Sequence, residues 1–146
     1  MTVESMLAVL QENFDGQPWH GSPLRRLLDG IDDERAHAHP LPAAHSIAEL
    51  LAHLSAWIEI ADRRIRGEVF EITPELDFPD ASHARFADLV AQLEERHASL
   101  LATVRALDDD ALRAKVAGKP YSIQSMLHGV MHHNTYHGAQ IALLRK

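Results

Sequence analysis

The histidines of the C-terminal segment are the residues whose spacing most directly suggests chemistry. His133 and His137 are four residues apart, so on a helix their side chains lie one turn apart on one face. The same face carries the apolar residues Met126, Val130, Ile141 and Leu144. Two unpartnered imidazoles would be costly in an aliphatic interior, whereas an i, i+4 histidine pair can chelate one metal ion. The pair therefore indicates a metal site, with hydrogen-bonded core histidines as the alternative.

A third metal ligand is predicted on an earlier helix, at His53. This residue lies on the apolar stripe of the helix that follows Ser46. The other members of that stripe are Ile47, Leu50, Trp57 and Ile60. His53 alone would be interpreted as a core histidine. Together with the pair on the last helix it predicts a site of three histidines, which leaves coordination positions open for water or substrate.

The remaining histidines are weaker candidates. His128 and His132 are also four apart, but their stripe is polar, which favours a surface position; His132 could still reach the mouth of the site or a subunit interface. His20 and His45 lie in predicted loops and are kept as candidate contacts to the metal ligands or to the substrate. The other four are expected to be solvated, and these are His37, His39, His83 and His97.

The charged residues suggest less specific roles. Arg63, Arg64 and Arg66 form a basic cluster at the end of the second long helix. Such a cluster could bind an anion, but it is equally suited to a helix C-terminus. The inward Glu-x-x-His pairs of a di-iron bundle are absent.

Hydrophobic spacing of helical period runs through almost the whole chain and predicts the elements that position these residues. Four long helical segments are expected, at about 2–14, 46–66, 82–107 and 122 to the C-terminus. Ser46 followed by Glu49 predicts a capping box, and Ser122 is the expected cap of the last helix. Pro74 and Pro79 fall in a long predicted crossover loop, 68–81. The chain is therefore predicted to form a four-helix bundle in one domain, 1–146.

Composition excludes several classes of protein. The chain has 146 residues and no cysteine, which rules out disulfides, cysteine ligands and a cysteine nucleophile. A net charge of −7 argues against nucleic acid as a partner. No apolar run is long enough to span a membrane, and the acidic N-terminus is not typical of a signal peptide. A cytoplasmic protein is expected.

Three segments resemble one known family. HSIAELLAHLSAW (45–57), LHGVMHHNTYHGAQIALLRK (127–146) and PWHGSPLRRLLDG (18–30) resemble the DinB-like (YfiT-like) superfamily of metalloenzymes. The resemblance covers nearly the whole chain, with both histidine motifs in the expected order. It implies a bundle of up-down-down-up topology with a divalent metal, zinc or nickel, near one end.

The resemblance assigns the metal to the three histidines that helix geometry selects. The helix-two histidine of the family falls on His53, and its HxxxH pair falls on His133 and His137. Asn134 stands where the family often has an acidic residue, so it is a further candidate contact to the metal ligands. The family often has Ala-Gly after the last histidine, whereas this chain has Gly138 followed by alanine.

Family members are commonly homodimers, and characterised relatives include thiol-dependent transferases. The resemblance therefore implies a metal-dependent transferase that uses a low-molecular-weight thiol on a small electrophilic substrate. Two alternatives stay open, a metal-dependent hydrolase and a stress protein that binds metal or ligand without turnover. A plain helical interaction module with buried, metal-free histidines is a third.

Overall fold

Helices account for nearly all the regular structure, as the hydrophobic period predicts. The computed structural model describes residues 1–146. The helices are α1 (Val3–Asp15), α2 (Leu24–Leu27), α3 (Asp33–His37), α4 (Ile47–Ile65), α5 (Pro74–Asp77), α6 (Phe86–Arg105) and α7 (Ile123–Leu144). A single 3-10 turn, Ala111–Arg113, lies between α6 and α7. No helix is both long and apolar enough to cross a membrane.

Local sequence signals set the ends of the two helices that carry the candidate ligands. At the start of α4 the Ser46 hydroxyl accepts from the Glu49 amide, and the Glu49 carboxylate accepts from the Ser46 amide, so the predicted capping box is confirmed. The Ser122 hydroxyl accepts from the Ser125 amide at the start of α7. Gly67, with φ +89°, follows the end of α4 in the left-handed conformation that glycine adopts without strain. Each of the two serine N-caps contributes about 1 kcal/mol to the stability of its helix.

The helices α4 and α6 pack side by side and run in the same direction. Arg96 of α6 donates to Ser55 near the middle of α4, and Arg66 just past the end of α4 donates to Thr103 near the end of α6. Residue numbers therefore increase in the same direction along both helices. A parallel pair needs a long connection, which is the predicted crossover that includes α5.

The other two long helices run the opposite way and close the bundle. His53 of α4 meets His133 of α7, while Arg64 meets Tyr121, so α4 and α7 are antiparallel. Phe14 of α1 stacks on the middle of α6, and Val3 lies beside Asp109 beyond its end, so α1 opposes α6. The directions of α1, α4, α6 and α7 are therefore up, down, down and up, as predicted.

Two connections that are predicted to be irregular contain short helices. Asp32 caps α3 and Thr73 caps α5, which has Pro74 at its first position. The third long helix begins at Phe86, four residues after the predicted start at Ser82, and Asp33 of α3 accepts from its first amide. These differences are local, but α5 matters because Asp77 at its end contacts the candidate ligand His53.

The interior is mostly aliphatic, as the low aromatic content predicts, and His97 is one of the few polar residues within it. His97 was expected to be solvated, and that prediction is wrong, because its side chain is buried at 4% exposure. His97 shares a helix face with Leu93, Leu100 and Val104, whereas its charged neighbours lie on other faces. Its ring stacks on Phe14, with centroids 3.8 Å apart.

Gly129 and Gly138 offer a test of how α7 packs against its neighbours. A Cβ added at Gly129 in the middle of α7 would meet no atom within 4 Å. Gly129→Ala is therefore expected to raise the free energy of unfolding by about 0.5–1 kcal/mol, because alanine loses less backbone entropy in a helix. Urea unfolding measures this. The matched control is Gly138→Ala, whose Cβ would lie 3.3 Å from Leu27 Cδ1, so it should gain less or lose stability. Equal gains at both glycines would contradict the packing described.

Candidate metal centre

The three histidines selected from the sequence converge in space. One ring nitrogen from each of His53, His133 and His137 lies within 4.8 Å of the others. The Nε2 atoms of His53 and His133 are 2.9 Å apart. Ligand nitrogens around a tetrahedral ion with bonds of about 2.0–2.1 Å are about 3.3 Å apart, so small side-chain shifts bring this set to ligand geometry. The arrangement could hold one metal ion.

The main chain of α5 orients the His53 ring. Its Nδ1 lies 2.6 Å from the backbone carbonyl oxygen of Asp77, to which it can donate. Phe78 stacks on the face of the ring, with centroids 4.0 Å apart. With Nδ1 as the donor, Nε2 carries the lone pair and faces His133. An outer hydrogen bond of this kind is typical of histidines that ligate a metal.

His137 is oriented in the same way by a residue of its own helix. Its Nδ1 lies 2.6 Å from Oε1 of Gln140, which can accept the ring proton. Nε2 is then the free nitrogen of His137 as well. Two of the three rings are therefore held in the tautomer that presents Nε2 to a shared centre.

The protonation of the cluster is also suited to binding a cation. Burial, and to a smaller extent the neighbouring His137 and His53, lower the pKa of His133 from 6.5 to about 4. Burial also lowers the pKa of His53. Both rings are therefore neutral at pH 7, which is the form in which imidazole binds a metal.

A cavity of about 450 Å³ opens beside the cluster, between α4 and α7. His53 and His133 form part of its wall, and its apolar lining includes Trp57, Ile60, Ala61, Met126 and Val130. Besides the two histidines, four lining residues carry a charged group or a hydroxyl, namely Arg64, Asp77, Tyr121 and Ser125. The volume is in the range of small-molecule sites.

The secondary candidates lie at different distances from this cluster. His45 is exposed and stacks on Phe78, with centroids 4.2 Å apart, so it lies one ring beyond His53. His132 is exposed on α7. His20 and Asn134 line a separate cavity.

Asn134 faces α1 instead of the three histidines. Its side chain is 3% exposed and donates to Asn13 Oδ1 over 3.3 Å. Asn13 in turn donates to Thr135. The position after the first histidine of the pair therefore contributes to a contact between α1 and α7.

Three residues at the cluster were not selected from the sequence. Gln140 could have been found, since it follows His137 by three positions on the same helix. Asp77 and Phe78 carry no such signal, because their contact with His53 depends on the path of the crossover. That path is a tertiary feature.

The fold and the cluster together define an all-helical bundle with three histidines that could hold a metal ion. The family model described as the DinB superfamily matches residues 19–141, which is most of the chain. The chain belongs to the DinB superfamily. No curated protein and no solved structure matches it.

Proposed function

We propose that this chain is a metal-dependent enzyme that transfers a low-molecular-weight thiol to a small electrophilic substrate. The observation that carries the proposal is the convergence of His53, His133 and His137 at the wall of an apolar cavity. Three protein ligands beside a cavity are typical of catalytic sites, in contrast to the closed ligand sets of structural ones.

The residues of the chain would hold the ion and shape the space around it. The Nε2 atoms of the three histidines are the proposed ligands of zinc or nickel, since imidazole suits both ions. When bound, a divalent ion supplies Lewis acidity that lowers the pKa of a thiol or of water. Trp57, Met126 and Val130 present apolar surface to a substrate and exclude water from it.

Thiol transfer is favoured over hydrolysis by the resemblance to thiol-dependent relatives. The chain has no cysteine, so the thiol would be a diffusible cosubstrate. A hydrolase and a binding protein without turnover use the same ligands, and they differ from the proposal in what the assay detects.

The test is a turnover assay with zinc-loaded, nickel-loaded and chelator-treated protein. Glutathione, cysteine and mycothiol serve as thiols, and monobromobimane serves as a general electrophile. The expected result is turnover that requires both metal and thiol and is lost in His53→Ala. Cleavage of nitrophenyl acetate without thiol would support the hydrolase instead. Absence of turnover with every acceptor and ester, at full metal loading, would contradict the proposed activity.

Gln140 provides a prediction about the proposed ligands. Gln140→Leu removes the acceptor 2.6 Å from His137 Nδ1 while keeping similar volume. Loss of such an outer partner is expected to weaken metal affinity by about 10- to 100-fold. Competition with a fluorescent zinc chelator measures this, with Gln124→Leu near the start of the same helix as the matched control. Unchanged affinity in Gln140→Leu would remove this residue from the site.

The homodimer and the cytoplasmic location implied by the resemblance remain predictions. Tyr136 and Leu143, seven residues apart on α7, are exposed at 64% and 71%, so a second copy of the chain could bury them. Sedimentation equilibrium at several concentrations measures the mass in solution. A monomer throughout would contradict the dimer.

A further inference from the structure

Arg64 is a buried cation at the end of the cavity away from the three histidines. It lies in the last turn of α4, lines the cavity, and is 6% exposed. Transfer of a charge away from water is costly unless the charge is paired. A buried guanidinium group such as this one is therefore expected to have an anionic partner.

The guanidinium group has no acidic partner within the protein. No carboxylate oxygen lies within 4.0 Å of it, and its one side-chain hydrogen bond runs from Nη1 to the Tyr121 hydroxyl, at 3.1 Å. The neighbouring arginines differ, since Arg63 pairs with Glu68 and Arg66 pairs with Asp62. The pairing of these two is typical of a helix end, whereas Arg64 has donors left over.

Those donors belong to the cavity wall. Arg64 is the only arginine or lysine among the lining residues, and the single lining carboxylate, Asp77, lies at the histidine end. There the Asp77 side chain accepts from Trp57 Nε1 at 2.8 Å and lies 3.4 Å from His53 Nδ1. The cavity therefore has a cationic end and a histidine end with apolar wall between them.

The Trp57 indole links the two ends. Its ring is 6.3 Å from the His53 ring, between centroids, and 5.9 Å from Cζ of Arg64. One small molecule lying along the indole can therefore reach both ends. Such a molecule has an anionic group at Arg64 and an apolar body along Trp57.

We propose that Arg64 and Tyr121 bind the carboxylate of the substrate, which is a small acid with an apolar body. Arg64 offers a planar set of N–H donors that matches a carboxylate. The Tyr121 oxygen accepts from Arg64, so its own O–H is free to donate to the same anion. The inference rests on the proposed function only in placing the reactive atom of this acid beside His53 and His133.

The test compares an acid with its neutral amide. Octanoate and octanamide are titrated by calorimetry into chelator-treated protein, so that no metal is present to coordinate the carboxylate. Octanoate is expected to bind about tenfold or more tightly than octanamide, because only the acid forms charge-assisted hydrogen bonds. Arg64→Gln is expected to abolish that preference, and Tyr121→Phe to reduce it.

Arg63→Gln is the matched control, since it removes an adjacent positive charge that lies outside the cavity wall. It should keep the preference for octanoate. Equal binding of acid and amide by the wild type, or no binding of either at millimolar concentration, overturns the inference without any variant having to fold. The inference is also overturned if glutathione binding depends on Arg64 while octanoate binding does not. Arg64 would then bind the thiol cosubstrate instead of the substrate carboxylate.

The metal content of each protein, measured before the chelator treatment, separates this inference from the proposed function. A normal metal content with no acid preference defeats the carboxylate site alone. A preference for octanoate in a protein that binds no metal defeats the proposed enzyme and leaves the carboxylate site in place.

Discussion

Replacing both His133 and His137 with alanine is expected to lower the metal content from about one equivalent per chain to none. Replacing only one of these two histidines leaves two of the three candidate ligands, but the double variant leaves only His53. A single imidazole does not retain a divalent ion through purification. Elemental analysis of protein made without a histidine tag or added metal measures the effect.

The matched control for this experiment lies on the same helix. His128 and His132 are also four residues apart but lie outside the cluster, so replacing both with alanine should leave the metal content unchanged. A chelator should lower the melting temperature of the wild type but not that of the His133→Ala/His137→Ala variant, because a metal that binds only the folded state stabilises it. A wild type that holds neither zinc nor nickel after loading would refute the metal site and favour a bundle with metal-free histidines.

The second large effect is expected at His97, which belongs neither to the histidine cluster nor to the cavity wall. Both of its ring nitrogens are buried without a hydrogen-bond partner, and burial lowers its pKa from 6.5 to about 4. The unfolded chain therefore binds a proton between these pH values that the folded chain does not. Stability from this residue is present above pH 6.5 and is lost as the pH falls towards 4. The loss is on the order of 3 kcal/mol.

His97→Leu is expected to remove that acid sensitivity. Leucine has a similar volume and continues the apolar face of Leu93 and Leu100, so the variant should also gain about 1 kcal/mol at pH 7 by removing unpaired polar atoms. Urea unfolding at pH 7, 6 and 5 compares it with the wild type. His83→Gln, at an exposed position of the chain, is the control and should follow the wild-type curve. A difference between wild type and His97→Leu that does not grow as the pH falls would contradict the assignment.

Short-range patterns account for what could be predicted about the fold. Helical period and caps act over a few residues, so they locate α4 and α7 closely and place His53, His133 and His137 on inward faces. The long connection between α4 and α6 indicated a crossover, because parallel neighbours cannot be joined by a tight turn. The starts of α3, α5 and α6 were less predictable, since Asp33 of one short helix caps another helix more than fifty residues away.

The same physical reason explains why the prediction for His97 is wrong. His97 sits among charged neighbours in the chain, and that local context suggested solvent. Its helix face is set by Leu93 and Val104, and packing against Phe14 on α1 buries that face. The helix face on which His97 lies predicts its burial better than its neighbours in the sequence do, because burial along a helix follows the helical period.

The sequence by itself determined the four long helices, their inward faces and the three candidate ligands, because each depends on residue spacing within one helix or on a short motif in the chain. Only the tertiary structure decided which atoms surround those ligands. The Asp77 carbonyl reaches His53 from the crossover, and Arg64 faces Tyr121 across the antiparallel pair α4 and α7. These contacts join residues at least 24 positions apart, so no local pattern specifies them. They decide how the rings are oriented and what the cavity beside them can bind.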